Sequence, residues 1–488
     1  MNYEEYFRQF RTNIVGIDAV FRSQYGEQPL IYSDWTASGR LYGPIEKKML
    51  ESFGPFVGNT HSESSITGGL MTHAYHHAHE IIKKHVNADA DDVLLFVGTG
   101  MTTAINKFQR ILGVKIPDKF RNSIVLSDAD RPVVFVTHME HHSNQTTWYE
   151  TIADVCVLEP SANGLVDTDA LRSALKKYQN RSMKIGSFSA CSNVTGICSP
   201  YHELAKIMHE HGGIAIVDFA ASAPYVAMDM HPAEKNERLD AIIFSPHKFL
   251  GGPGTPGVIL FNKHLYTLES PDQPGGGTVL WTNPWGQHKF SPDIEIREDG
   301  GTPGFLQAIK ASLAVQLKDR MGIKNIAARE HELAAAMFKK MRPIPHLKLL
   351  ADSIEDRLCM FSFYFDNIHY NLVVKILNDR FGIQARGGCS CAGTYGHYLL
   401  HVDPQHSKQI TDKIDAGDLS EKPGWVRISL HPTTTNEEVN HITGALAQIE
   451  KNIAVWQNDY AYNQHSNEYH HKNENGTLSA MTETWFDV

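Results

Sequence analysis

Between about residues 90 and 262, short β-rich apolar runs alternate with helix-like stretches. The runs are Val93 to Val97, Val133 to Thr137, Val155 to Leu158, Lys184 to Ser189, Ile214 to Asp218, Ala241 to Ser245 and Val258 to Phe261. Amphipathic segments such as Asp167 to Tyr178 and His202 to His211 lie between several of them. This rhythm predicts an α/β fold built on a largely parallel sheet with helices on both faces. Sheets of that kind place ligands outside the C-terminal ends of their strands, so the residues at those ends are the ones to inspect.

The chain of 488 residues exceeds what one hydrophobic core usually organises, which predicts two domains. The expected division is a large domain over 31–342 and a smaller α+β domain over 343–455. Segment 1–30 is too short to fold alone and is expected to pack on the small domain. Within the large domain, 265–301 is rich in Pro and Gly and reads as a long ordered loop. The tail 456–488 is polar, which leaves two expectations, disorder or a course over the surface with Trp485 and Phe486 as anchors.

Composition excludes several classes of function. The net charge of -10 is spread along the chain and offers no basic footprint for nucleic acid. No run reaches the roughly 18 to 20 apolar residues of a membrane span. The acidic start Met1-Asn2-Tyr3-Glu4-Glu5-Tyr6 lacks the pattern of a signal peptide, so the expected location is the cytoplasm. Six cysteines without CxxC pairs suggest neither a disulfide framework nor structural zinc. His73, His76, His77, His79 and His85 include an i, i+4 pair but no HExxH pattern, so no metal site is expected.

At the strand ends the chemistry collects. Lys248 follows the run ending at Ser245, in Ser245-Pro246-His247-Lys248, and a glycine-rich turn comes after it; Asp218 ends the run from Ile214. An amine and a carboxylate placed this way suit a pyridoxal phosphate (PLP) enzyme, which needs a Schiff-base lysine and an acid facing the pyridine nitrogen. Gly98-Thr99-Gly100-Met101-Thr102-Thr103 follows another strand and opens a helix, which makes an anion site suited to a phosphate. His141, just after Val133 to Thr137, is placed to stack on a flat ring and move protons. Asn193, in Ser192-Asn193-Val194-Thr195-Gly196, can donate to a phenolate oxygen. Arg427 stands alone in a strand-like run, where either a substrate carboxylate or an internal Asp or Glu would serve as its partner. Cys389 and Cys391 occupy a glycine-flanked segment, where a thiol of lowered pKa would be a nucleophile.

Taken in order, these stations resemble the class V, fold-type I PLP enzymes, and within them the group II cysteine desulfurases and selenocysteine lyases. The resemblance runs from about Ile31 to Ile449 through Asp34-Trp35-Thr36, Asn59-Thr60-His61, Gly100 to Asn106, Glu140 to Asn144, Ser192 to Gly196, Asp218, Ser245 to Lys248, Gly301-Thr302-Pro303, Arg386 to Ala392 and Arg427-Ile428-Ser429. It implies a seven-stranded large domain that holds PLP. Lys248 would bond the cofactor, Asp218 would pair with its ring nitrogen, His141 would stack on the ring and Asn193 would hold the phenolic oxygen. Gly100, Met101, Thr102, Ser245 and His247 would hold the phosphate, joined by Thr302 from a second subunit, hence a homodimer. Arg427 would clamp the carboxylate of a small amino acid, and Cys391 would accept sulfur from L-cysteine and pass it to an acceptor protein, leaving Cys389 as an extra thiol. One departure is Ala221, where the desulfurases usually carry Gln. It leaves selenocysteine lyase, aminotransferase, epimerase and kynureninase-like activities open, as well as a non-catalytic PLP-fold sensor.

Overall fold

The computed structural model describes residues 1–60, 62–121, 123–474 and 482–487. It divides into two compact units: Met1–Val15 with Trp35–Arg329, and Gly16–Asp34 with Glu330–Val488. The large unit is built on a seven-stranded sheet of β1 (Asp92–Val97), β2 (Val133–Thr137), β3 (Asp154–Leu158), β4 (Lys184–Ser189), β5 (Ile214–Asp218), β6 (Ala241–Phe244) and β7 (Gly257–Asn262), in the spatial order β1-β7-β6-β5-β4-β2-β3. β2 to β6 pair in parallel, and β7 runs antiparallel to both β6 and β1.

The strands carry apolar residues toward both faces because both faces are covered. Ile216, Ile243 and Ile259 pack with Phe108 and Trp148 on one side. Phe135 and Phe188 pack with Leu171, Leu204 and Met208 on the other. The large unit thus has the doubly covered α/β architecture that the alternation predicted.

The chain start departs from expectation. Helix Tyr3–Arg11 is capped by Asn2, whose side chain accepts from the Glu5 amide at 3.2 Å. It buries Phe7 and Phe10 in the large unit, where the Tyr6 hydroxyl donates to the Met321 carbonyl at 3.1 Å. Only Gly16–Asp34 joins the second unit, where Ile31–Tyr32 pairs in parallel with Ile383–Gln384. The segment 265–301 is also more structured than a loop. It carries a hairpin of Val279–Thr282 with His288–Phe290 and a short helix Ile294–Glu298. Those elements are three to five residues long and broken by Pro and Gly, too short for periodicity to register. Its anchors are ionic: buried Lys107 donates to Glu298 at 2.6 Å, and the Arg110 guanidinium grips Asp272.

The second unit holds a four-stranded antiparallel sheet of β8 (Leu347–Leu349), β9 (Met360–Phe365), β10 (Arg386–Gly388) and β11 (Trp425–Ser429), in the order β8-β9-β11-β10. Helices Tyr370–Phe381 and Asn436–Trp456 supply Leu372, Ile376, Ile442 and Leu446 to its core. The polar tail is not featureless: β12 (Tyr460–Asn463) and β13 (Glu468–His471) form a hairpin in which Tyr462 faces Tyr469. Trp485 and Phe486 are exposed rather than acting as anchors.

Candidate active site

β5 and β6 are parallel neighbours, and their register places Asp218 opposite Ile243. The Phe219 amide donates to the Ile243 carbonyl at 2.8 Å, which fixes the end of β5 against β6. Lys248 closes the single 3-10 turn Pro246–Lys248 directly after β6. Asp218 and Lys248 therefore share one sheet edge although thirty residues separate them. Asp218 is buried and accepts from the Ala220 amide at 2.7 Å. Burial raises its pKa to about 7, with the positive charge of Lys248 opposing the rise. His247 goes the other way: burial and the charge of Lys248 lower it to about 4, so its ring is neutral at physiological pH.

The start of helix Met101–Ile111 meets this edge. The Met101 amide donates to Ser245 Oγ at 2.9 Å, and Thr102 Oγ1 lies 2.6 Å from Ser143 Oγ. A Cβ on Gly100 would sit 3.2 Å from Ser245 Oγ and 3.6 Å from His247 Nε2, so glycine is what lets the backbone approach these side chains. Backbone amide, two hydroxyls and a neutral imidazole thus converge at a helix N-terminus, a donor set that suits a phosphate. The structure brings Gly100, Met101, Thr102, Ser245 and His247 together at this edge.

His141 caps helix His142–Tyr149, its Nδ1 accepting from the Ser143 amide at 3.0 Å, and so it stands at the same end of the sheet beyond β2. Behind it lies a residue that sequence reasoning missed in this role. The fully buried Glu140 carboxylate accepts from Thr137 Oγ1 at 2.7 Å, Asn144 Nδ2 at 2.7 Å and the Ser189 amide at 3.0 Å. Burial pushes its pKa up against the pull of those donors. Glu140 ties β2, the helix after it and the end of β4 into one block that holds His141 in place. Asn193 follows β4 and is buried as well, whereas Thr302 is exposed.

In the second unit, antiparallel pairing sets Arg386 of β10 directly opposite Arg427 of β11. Two like charges in that register repel unless an anion lies between them. Asp34 supplies it, with Arg386 Nε to Oδ2 at 2.9 Å and Arg427 Nη2 to Oδ1 at 2.8 Å. Asp34 is thus an internal carboxylate partner of Arg427, one of the two kinds that the sequence left open. Past β10, Ser390 and Cys391 adopt positive φ angles of 53° and 55° and Cys391 is exposed, while Cys389 is partly covered. His77 pairs with Glu80, His79 with Glu295 and His85 with Asp319, so these histidines answer to separate acids. His61 lies outside the described residues.

Residues 31–442 match the family model of class-V aminotransferases. The chain belongs to that family. A probable cysteine desulfurase of Halalkalibacterium halodurans is 27% identical over 382 residues, covering 76% of this chain and 86% of that one. A probable cysteine desulfurase of Staphylococcus epidermidis is 26% identical over 377 residues, covering 76% and 86%. Among solved structures, the fold is similar to that of a cysteine desulfurase from Thermococcus onnurineus NA1, with a TM-score of 0.71, 21% identity and coverage of 91% of this chain and 98% of that one. An Escherichia coli cysteine desulfurase gives 0.70, with the same identity and coverage. The class-V match spans both units, from the strand before Asp34 to the helix after Arg427. No helix among the described residues is long and apolar enough to cross a membrane.

Proposed function

We propose that this class-V family member is a PLP-dependent cysteine desulfurase that converts L-cysteine to L-alanine and leaves the sulfur on Cys391. The observation that carries the reading is the buried Asp218 beside Lys248 at one sheet edge, next to a cradle suited to a phosphate. The relatives named cysteine desulfurase agree with it. The residues fit the cofactor. Lys248 would bond its aldehyde carbon, Asp218 would face its ring nitrogen, His141 one ring face and Asn193 its phenolic oxygen. Gly100, Met101, Thr102, Ser245 and His247 would hold its phosphate, with Thr302 of a second copy of the chain in a homodimer. When bound, PLP supplies an electron sink for the substrate carbanion.

Asp218 suits this role because a positive ring nitrogen offsets the burial that otherwise favours its neutral form. Lys248 would remove the Cα proton and later return one, and neutral His247 would donate to the cofactor's phosphate without adding charge. Arg427, which meets Asp34 through Nη2, would orient the substrate carboxylate. The Cys391 thiolate then attacks the substrate sulfur: the substrate C–S bond breaks, an S–S bond forms on Cys391, and the released carbon skeleton is protonated to alanine. Atoms balance as L-cysteine and thiol in, alanine and persulfide out.

Ala221 favours a second reading, another class-V activity on a small amino acid. One assay separates the two. Wild type, Lys248→Ala and Cys391→Ala, each supplied with PLP and with dithiothreitol to reduce the enzyme persulfide and free its outer sulfur as sulfide, are incubated with L-cysteine while alanine and sulfide are followed. The desulfurase reading expects both products from wild type, neither from Lys248→Ala, and a loss of roughly 100-fold or more for Cys391→Ala, as for removal of a nucleophile. Undiminished release by the Cys391 variant would sink it.

A further inference from the structure

A cleft of about 670 Å³ opens in the second unit beside the two cysteines, lined among others by Arg386, Cys389, Cys391, Lys422, Asn467 and Tyr469. Its outer wall is the β12–β13 hairpin, which lies beyond the part of the chain that the family model matches. The hairpin is fixed rather than draped. Asn467 is buried with φ of 58°; its Nδ2 donates to the Tyr370 hydroxyl at 2.6 Å, and its Oδ1 accepts from Tyr462 at 2.9 Å. Its carbonyl also accepts from Asn371 Nδ2, and the Tyr370 hydroxyl donates to the Lys422 carbonyl at 3.2 Å. A left-handed asparagine held by that many bonds fixes the hairpin turn as one wall of a cleft next to the two cysteines.

The volume falls in the range of small-molecule sites, roughly 300 to 1,000 Å³. Of its charged lining, Arg386 and Asp34 are already paired with each other and Lys375 with Asp379 and Glu474, while Lys422 and Glu468 add one charge of each sign, and Asn371, Asn378 and Gln384 add amide groups. We propose that this cleft binds the acceptor that relieves Cys391 of its sulfur, a zwitterionic small thiol of amino-acid or short-peptide type. The inference rests on the persulfide reading above. In the step, the acceptor sulfur attacks the outer sulfur of the Cys391 persulfide; a new S–S bond forms, the old one breaks, and Cys391 regains the proton the acceptor gives up. The acceptor leaves as its own persulfide, with no outside oxidant or reductant.

The test needs no turnover of L-cysteine. In full-length Cys389→Ser protein, Cys391 is capped as a mixed disulfide with 5-thio-2-nitrobenzoate, and uncapping is followed on the Cys391 peptide by mass spectrometry. Cysteinylglycine is compared with 2-mercaptoethanol, and a free cysteine peptide with the same cap serves as reference. Rates should saturate with cysteinylglycine and rise linearly with 2-mercaptoethanol. Lys422→Glu, an exposed change, should raise the half-saturating concentration at least fivefold, and so should Asn467→Ala if its melting curve shows it folded. Linear rates with both thiols, or a ratio equal to that of the reference peptide, would overturn the cleft. A failure of the desulfurase reading appears elsewhere, as an absence of alanine, and leaves this readout intact.

Discussion

The strand edge around Lys248 and the loop around Cys391 carry reactive groups in opposite ways. Asp218 is buried and held by main chain, and its surroundings move its pKa to about 7. Cys391 is exposed on a turn of positive φ between glycine-flanked residues. Desolvation and fixed partners tune the first group, whereas access serves the second, which in the desulfurase proposed above would have to meet sulfur donors and acceptors. Buried groups of this kind leave a mark on stability, and exposed ones leave it on activity alone.

The pH dependence of folding offers the largest break in that contrast. The Asp218 carboxyl titrates at 3.8 in an ordinary setting and at about 7 in the fold, so the folded protein retains a proton that the unfolded chain gives up. Stability from this group is therefore full below about pH 4 and falls as pH rises toward 7, by roughly 4 kcal/mol as an upper bound. His247 and His138, both lowered to about 4, contribute in the opposite sense, so the test is a difference. Urea denaturation of PLP-free wild type and Asp218→Asn between pH 4 and 8 should show a gap that widens with pH in favour of Asn. A gap independent of pH would place the proton elsewhere.

A somewhat smaller effect should come from the second unit's own buried pair. Asp34→Ala removes the anion between Arg386 and Arg427, and loss of one partner of a buried ion pair costs about 3 kcal/mol. Chemical denaturation should register that loss, and Arg386→Ala in the same background should recover part of it by removing the like charge opposite Arg427. No recovery would mean that the cross-strand repulsion is already screened.

The smallest effect belongs to Cys391. Because the side chain is exposed, Cys391→Ala should change unfolding free energy by no more than about 0.5 kcal/mol while it removes persulfide formation. A shift above 1 kcal/mol would show that the thiol also packs, and the contrast between the two regions would weaken.

Much of the large unit was legible before any coordinates. Each strand of the central sheet left an apolar run, and the sheet rule directed attention to Lys248, Asp218 and Gly100. Less legible were the elements held by polar contacts at long range. Glu140 looked like one more polar residue beside His141, yet it joins β2 and β4. The β12–β13 hairpin is four residues per strand in a His- and Asn-rich tail, and a buried asparagine fixes it. The segment 265–301 hid a hairpin and a helix for the same reason.

By itself the sequence determined the alternating architecture, the family to which the chain belongs and the identities of the groups at the strand ends, because periodicity and motif order are local and survive in one dimension. Only the tertiary structure decided that Arg427 already faces Asp34, that Met1–Val15 joins the large unit, and that the tail walls a cleft beside the cysteines. Those outcomes depend on which distant polar groups meet, and Coulomb attraction and hydrogen bonding act over a few ångströms of space however many residues lie between.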